Sequence, residues 1–285
     1  MASSRYVLLS GLADKNIGKL FGRRCEMSFP KPFNLDGKIA LVTGAANGLG
    51  VSFAEAMAEA GADVVCADID ARGLKKTVKK IERIGKKGLA VLCDVSKEED
   101  VKRMMKVTVN TFGRLNILFN NAGIAEEVPK PLHKYTTEEW NRILAVDLQG
   151  VFFCAREALK IMVKQKSGKI INIASVWGLA GSSSIMPVPA YNAAKGAVVN
   201  LTRELGLEYA AIGINVNAIC PGFYRTGLGG GSDDPNFIKA VKAFVPMRKM
   251  AEPEDLKGTA IYLASSASDY MCGQTIVTDG GMLAK

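Results

Sequence analysis

Tyr191-Asn192-Ala193-Ala194-Lys195 sets a phenol and an ammonium four residues apart. Pro189 and Ala190 just before them suit the opening of a helix, where positions i and i+4 share one face. A free phenol titrates near about 10 and is a poor base at neutral pH. A neighbouring Lys⁺ favours the phenolate and draws that value down, so the pair predicts a group that passes a proton to and from an oxygen. Tyr and Lys at this spacing also occur on many surface helices that do no chemistry. The weight comes from their company: Ser175, a hydroxyl just past the apolar run 170–174, and, upstream, a glycine-rich turn followed by an acid.

Residues 39–43, Ile-Ala-Leu-Val-Thr, run into Gly44-Ala45-Ala46-Asn47-Gly48-Leu49-Gly50, and a helical pattern begins at Val51. Such a turn lets a pyrophosphate approach the backbone, while the following helix amides and their dipole attract it. Ordinary strand-to-helix turns also use glycine. The place of this one, after the first strand of a βαβ unit, makes it a candidate dinucleotide site. The next apolar run, 63–68, ends in Asp68, 18 residues past Gly50. A carboxylate there accepts both hydroxyls of the adenosine ribose and repels a 2′-phosphate. Asn47 and Ile69, the neighbours able to meet that phosphate, are not basic, and Arg72 reads as a helix-surface residue. The pattern predicts NAD rather than NADP, against the plainer alternative that Asp68 only caps the next helix. An oxidised nicotinamide would add its positive charge to that of Lys195 beside the phenol.

The elements that must position these groups follow from hydrophobic period. Strand-like runs at 39–43, 63–68, 88–93, 117–120, 169–174, 214–220 and 274–278 are bounded by Gly, Asp, Asn or Pro, and most are nearly continuous in apolar residues. That is the pattern of strands buried on both faces. Amphipathic stretches lie between them. One opens with the capping box Thr136–Glu139 and is expected to continue as a long helix through Trp140 and Ile143 towards Met162. The alternation predicts an α/β class: a single doubly wound, Rossmann-type domain with a mostly parallel seven-stranded sheet and helices on both faces. The domain is expected over 35–285, with no internal repeat. Residues 1–34 read as an extension, disordered or partly ordered, whose first part has the basic, Ser- and Gly-containing composition of a transit peptide. Met27 and the residues after it read as an ordinary lead into the first strand.

Length and composition narrow the classes. The chain has 285 residues, 48% of them hydrophobic, enough for a large core, and no run of 18 apolar residues that would span a bilayer. The net charge of +9 raises nucleic acid or a membrane surface as partners. The basic residues instead scatter over helical faces, as at Lys75, Lys76, Lys79 and Lys80, without an interleaved aromatic stripe, so neither partner is expected. Six cysteines stand apart with no C-x-x-C pair or His cluster, which predicts no metal site, buried reduced thiols at Cys66, Cys93 and Cys220, and a cytoplasmic setting. His133, the one histidine, has no acid-base partner in its loop and reads as a surface residue. Trp140 reads as packing, and Trp177 as either packing or substrate contact.

Taken together, the motifs resemble those of the short-chain dehydrogenase/reductase family over about 35–282. Besides the residues above, Asn120-Asn121-Ala122-Gly123, Asp94-Val95, Pro221-Gly222-Phe223-Tyr224-Arg225-Thr226, Gly273-Gln274-Thr275 and Asp279-Gly280-Gly281 are similar to its ordered motifs. The resemblance implies that Tyr191 is the acid/base, that Ser175 holds the carbonyl or alkoxide oxygen, and that Lys195 holds the nicotinamide ribose and lowers the Tyr191 value. It implies cofactor contacts from Gly44, Asn47, Gly48, Leu49, Gly50, Asp68, Ile69, Asp94, Val95, Asn121, Gly123, Tyr191, Lys195, Pro221, Gly222, Tyr224 and Thr226. The chain departs from the family at Asp147, where an Asn is usual. Asp accepts the same hydrogen bonds but donates none as an amide, so a pairing with Lys195 and an altered pH profile are expected. A longer interval than usual, fifteen residues between Ser175 and Tyr191, is expected to reshape the substrate entrance.

The resemblance further implies a homotetramer or homodimer built through the helices carrying Asp147 and Tyr191 and through the last strand. Residues 227–246, with Gly229-Gly230-Gly231 as hinge and Phe237, Ile238 and Phe244 as an apolar inner face, read as a substrate lid. Trp177, Met186, Val188, Tyr224 and Leu228 are its expected apolar neighbours, and Arg225 either binds a carboxylate or pairs on the surface. The expected activity is NAD-dependent hydride transfer with a secondary alcohol or ketone, a polyol, sugar acid or similar. The alternatives are a 3-oxoacyl thioester reductase and a non-catalytic nicotinamide-binding sensor.

Overall fold

The structure, a computed structural model, describes residues 30–228 and 233–284. Seven strands form one sheet in the order β3-β2-β1-β4-β5-β6-β7: β1 Ile39–Thr43, β2 Asp63–Asp68, β3 Gly88–Leu92, β4 Ile117–Asn120, β5 Gly168–Ile173, β6 Ile214–Pro221 and β7 Thr275–Thr278. Every pairing is parallel, so the sheet is wholly rather than mostly parallel. The strand order reverses between β1 and β4, whose carboxyl ends diverge to leave the crevice where such sheets take ligands.

Strand residues alternate between two cores. Ala40, Val42, Val64, Cys66, Ile117 and Phe119 face one layer with α1 (Gly48–Glu59), α2 (Ala71–Ile84) and α8 (Lys257–Ala264). Leu41, Val65, Ala67, Leu118 and Ile170 face the other, with α3 (Glu98–Phe112) and α5 (Val151–Gln165). The central strands β1 and β4 are buried throughout, as their apolar runs predict. The outer strands β3 and β7 are not: each lies at an edge, and Leu92 and Val277 are exposed.

The helix expected from Thr136 to Met162 is three segments in series. The capping box is present, with Thr136 Oγ1 accepting from the Glu139 amide and Glu139 answering, and it opens α4 (Thr137–Leu144). A π-helical stretch follows at Ala145–Gly150, then α5. Such wide turns are rare and gather at functional sites because they re-aim one side chain. Here the widened turn carries Asp147. The helix expected at Pro189 is α6 (Pro189–Tyr209), and α7 (Pro235–Phe244) lies in the expected lid. Of the expected N-terminal extension, residues 30–34 are described: Lys31–Phe33 forms a short turn, and Ser266 Oγ donates to the Pro32 carbonyl over 3.0 Å. Residues 1–29, and the expected hinge at Gly229-Gly230-Gly231, lie outside the described residues. No described helix is long and apolar enough to cross a membrane.

Candidate active site

The cleft at the β1/β4 divergence has a volume of about 590 Å³. Gly44, Asn47, Gly48 and Leu49 form one wall, and Asp68, Ile69, Asp94 and Val95 one end. Asn121, Gly123, Lys195 and Thr226 lie along the rest. Gly44 sits at φ +66°, a left-handed conformation that glycine adopts without steric cost. Gly50 does not line the cleft but lies beneath it: a Cβ there would fall inside the Gly44 carbonyl oxygen, so the turn closes only over glycine. Asn121 ties the turn down, its Nδ2 donating to the Thr43 carbonyl over 2.8 Å and the Gly44 carbonyl over 3.2 Å. A tight backbone cradle with a helix start behind it and an open channel beyond fits a dinucleotide.

At the far end, Asp68 is held by backbone alone. Its Oδ2 accepts from the Ala46 amide and its Oδ1 from the Asp70 amide, each over 3.0 Å. The helix cap proper is Asp70, which accepts from the Arg72 amide, so Asp68 does not cap α2. Ile69 is exposed at the rim, and Arg72 is exposed on α2 without lining the cleft. Among the residues lining this end there is no Lys or Arg.

Three segments bring the four catalytic candidates together. Ser175 follows β5, Tyr191 and Lys195 share the first turns of α6, and Asp147 comes from the π stretch. All are buried, Asp147 completely. Lys195 Nζ lies 3.0 Å from Asp147 Oδ2, donates to the Ile173 carbonyl over 3.1 Å, and sits 5.4 Å from the centre of the Tyr191 ring. Asp147 Oδ1 accepts from the Ile124 amide over 2.8 Å. Ser175 Oγ accepts from the Trp177 amide over 3.1 Å, and its hydroxyl favours the charged form of the Tyr191 phenol.

The electrostatics depart from the sequence expectation at Tyr191. Burial raises its value, Lys195 opposes this and Asp147 adds to it, so the phenol is held above its ordinary range rather than below. The ammonium does pull the expected way, but in a dry site with carboxyl groups close by it is outweighed. Burial also works against both members of the Lys195–Asp147 pair. For Lys195 the carboxylate wins and the value rises, so the ammonium is retained.

Several expected residues lie elsewhere. Pro221, Gly222 and Tyr224 are not on the cleft wall: Gly222 packs against Asp279, its amide donating to the Thr278 carbonyl, and Tyr224 lines a separate cavity of about 240 Å³. A parallel bridge between Tyr224 and Ala251 turns that segment away. Arg225 pairs with Glu252 over 3.1 Å and Asp233 over 3.6 Å, a surface network rather than a carboxylate site in the cleft. His133 is exposed on a short turn. Trp140 packs at the edge of the apolar cluster above the site, and Trp177 stands inside it, with Phe223 at 6.0 Å and the α7 residue Phe244 at 6.4 Å between ring centres. Met186, Val188, Phe237 and Ile238 join that cluster, while Leu228 is exposed at the mouth of the cleft. Cys66, Cys93, Cys154 and Cys220 are buried and unpaired. Burial pushes Cys66 and Cys93 up to about 12, and Cys220 to about 11. No group of metal-ligating side chains occurs among the described residues.

Sequence reasoning missed two groups. Ile124 and Val146 line the cleft beside Lys195, and Glu126 is buried against the start of α6. In sequence Glu126 is half of an exposed-looking Glu-Glu doublet in a loop, and no local period marks it as interior.

Comparison with known proteins extends the match. Residues 44–283 fit the family model described as enoyl-(acyl carrier protein) reductase. The chain is 38% identical over 255 residues to the 2-dehydro-3-deoxy-D-gluconate 5-dehydrogenase of Dickeya dadantii, covering 89% of this chain and 98% of that protein. Among solved structures, it is similar to a short-chain type dehydrogenase/reductase from Mycobacterium marinum, at 36% identity and a TM-score of 0.85, covering 90% of this chain and 99% of that one. It is also similar to a gluconate 5-dehydrogenase from Burkholderia cenocepacia solved with NADP and tartrate, at 33% identity and a TM-score of 0.84, covering 90% and 98%.

Proposed function

The chain belongs to the short-chain dehydrogenase/reductase family, and from that premise we propose that it is an oxidoreductase moving a hydride between NAD(H) and a secondary alcohol or its ketone, on a polyol, sugar acid or similar compact skeleton. The observation that carries this is the joint burial of Ser175, Tyr191, Lys195 and Asp147 beside a cleft that ends at Asp68. Bound there, the nicotinamide supplies the hydride acceptor in oxidation and the hydride donor in reduction.

The residues of the chain do the rest. Tyr191 gives its proton to the ketone oxygen in reduction and takes it from the alcohol in oxidation. Ser175 donates to the same oxygen, stabilising charge as it develops. Lys195 holds the nicotinamide ribose and stays charged through Asp147. The glycine-rich turn and the first amides of α1 hold the pyrophosphate, Asp94 and Val95 flank the adenine, and Asp68 accepts from the ribose hydroxyls. Preference for NAD rests on Asp68 and on the lack of a cation beside it, in contrast to the NADP carried by the Burkholderia structure.

Trp177, Met186, Val188, Phe237 and Phe244 make the substrate side apolar, and α7 within 227–246 is the lid. Within the proposed range, such a lining favours the less hydroxylated secondary alcohols and ketones. A second reading, reduction of a 3-oxoacyl thioester, is favoured by the acyl-carrier description of the matching family model. The groove of about 550 Å³ between α5 and α6, lined by Phe152, Leu159, Val163, Leu201 and Leu205, supports self-association of those helices into a homodimer or homotetramer. Unpaired thiols suit a cytoplasmic setting. The test is a rate assay with NAD and with NADP on sugar acids, polyols, steroids and 3-hydroxyacyl thioesters, run beside Tyr191→Phe. Turnover with NAD that Tyr191→Phe loses supports the reading. Equal rates for the two proteins, or a higher kcat/KM with NADP, overturn the mechanism or the cofactor assignment respectively.

A further inference from the structure

Glu126, in the loop after β4, is 6% exposed and stands against the residue assigned the proton transfer. Its Oε1 accepts two hydrogen bonds, from the backbone amide of Tyr191 over 3.1 Å and from the hydroxyl of Tyr135 over 2.8 Å. Tyr191 is the third residue of α6, so its amide is one of the donors a helix leaves without a partner at its start. Val188 precedes the helix and offers no side-chain cap. The carboxyl of a different segment supplies it, at the helix end where negative charge is favoured. Through Tyr135 the same oxygen reaches the entry to α4. Three segments are thereby pinned at the backbone of one tyrosine.

A cap of this kind explains one oxygen of Glu126 but not the choice of a carboxyl. Its Oε2 is buried and has no hydrogen-bond partner, and among the described residues no Lys or Arg lies within ion-pair distance of Glu126. The other carboxyl of the site, Asp147, is balanced by Lys195 at 3.0 Å. A carboxylate at this place would act on its surroundings as an uncompensated charge. The groups around the Tyr191 phenol are Lys195 on α6, Asp147 on the π stretch, the Ser175 hydroxyl after β5 and Glu126. Of these Lys195 alone is cationic.

We propose that Glu126 is a positioning residue for the proton transfer, its carboxyl fixing the backbone of Tyr191 and its charge opposing that of Lys195 at the phenol. This rests on the reading of Tyr191 as the acid/base. The raised value of the phenol, to which Glu126 contributes, agrees with it.

Two substitutions separate position from charge. Glu126→Gln keeps an acceptor oxygen for both hydrogen bonds and removes the charge. Glu126→Ala removes both. The phenol is titrated by ultraviolet difference absorbance, subtracting Tyr191→Phe, and the first turn of α6 is followed by amide hydrogen exchange. In Glu126→Gln the midpoint should move to lower pH, with amide exchange at Tyr191 and the melting temperature unchanged. In Glu126→Ala the Tyr191 amide should exchange at least tenfold faster. A wild-type midpoint in Glu126→Gln overturns the role of the charge, and wild-type exchange in Glu126→Ala overturns the clamp. Neither readout needs turnover. If Tyr191→Phe oxidises cyclohexanol with NAD as fast as wild type, the underlying reading fails instead, and the titration results still stand.

Discussion

The two ends of the cleft are built on opposite plans. At the adenosine end the working surface is largely backbone: the left-handed turn at Gly44, the start of α1, and a carboxylate, Asp68, itself held by two amides. Ile69 is exposed at its rim, and most of its parts lie within 44–69 of the chain, with Asp94 and Val95 beside them. At the catalytic end the working groups are side chains from four segments, buried together, with charges that set one another. Recognition by backbone tolerates water and change, because each amide acts nearly alone. The buried cluster does not, because every charge in it has been removed from water and depends on its neighbours.

That contrast can be tested by its consequences. The largest should come from Tyr191→Phe, which removes one hydroxyl from the coupled end. We expect kcat to fall by about 10³-fold, the scale of a general acid/base, with NADH affinity by fluorescence titration unchanged. Next is Asp147→Leu, which strands the Lys195 ammonium in a dry site. Breaking one partner of a buried pair costs about 3–5 kcal/mol, measurable by denaturant unfolding. Asp147→Asn should show the same coupling in its pH dependence. Because Lys195 is raised above its ordinary value, its contribution to stability is complete below that value and is lost only as pH climbs through the raised one. With the carboxylate gone, the alkaline loss of thermal stability should begin at lower pH than in wild type.

The backbone end should respond to geometry and only weakly to charge. In Gly50→Ala the new methyl collides with the Gly44 carbonyl, and opening the turn costs about 1–3 kcal/mol. The loss should appear as tenfold or greater weakening of NADH binding while the Tyr191 phenol titration stays put. Asp68→Ser should have the smallest effect, shifting the NAD-to-NADP ratio of kcat/KM by about tenfold, the worth of one charge-assisted hydrogen bond. A change at Asp68 that also moved the pH profile would erase the distinction between the two ends.

The difference in plan also decides what the chain discloses in one dimension. The glycine-rich turn, Asp68, all seven strands to within a residue or two and the Thr136 capping box were legible because each is enforced by neighbours a few residues away: a backbone angle, a continuous apolar run, a helical period, a cap. Tyr191 and Lys195 were legible for the same reason, since one helical turn joins them. What lay beyond reach depends on distant segments. The net upward direction at Tyr191 needs the burial of the whole cluster, and the turning away of Tyr224 needs its bridge to Ala251. The interior place of Glu126 needs the start of α6 laid across its loop. Local order in the sequence determined the elements and the reactive pair; the packing of remote segments, which sets burial and so the strength of every charge, decided how that pair is held.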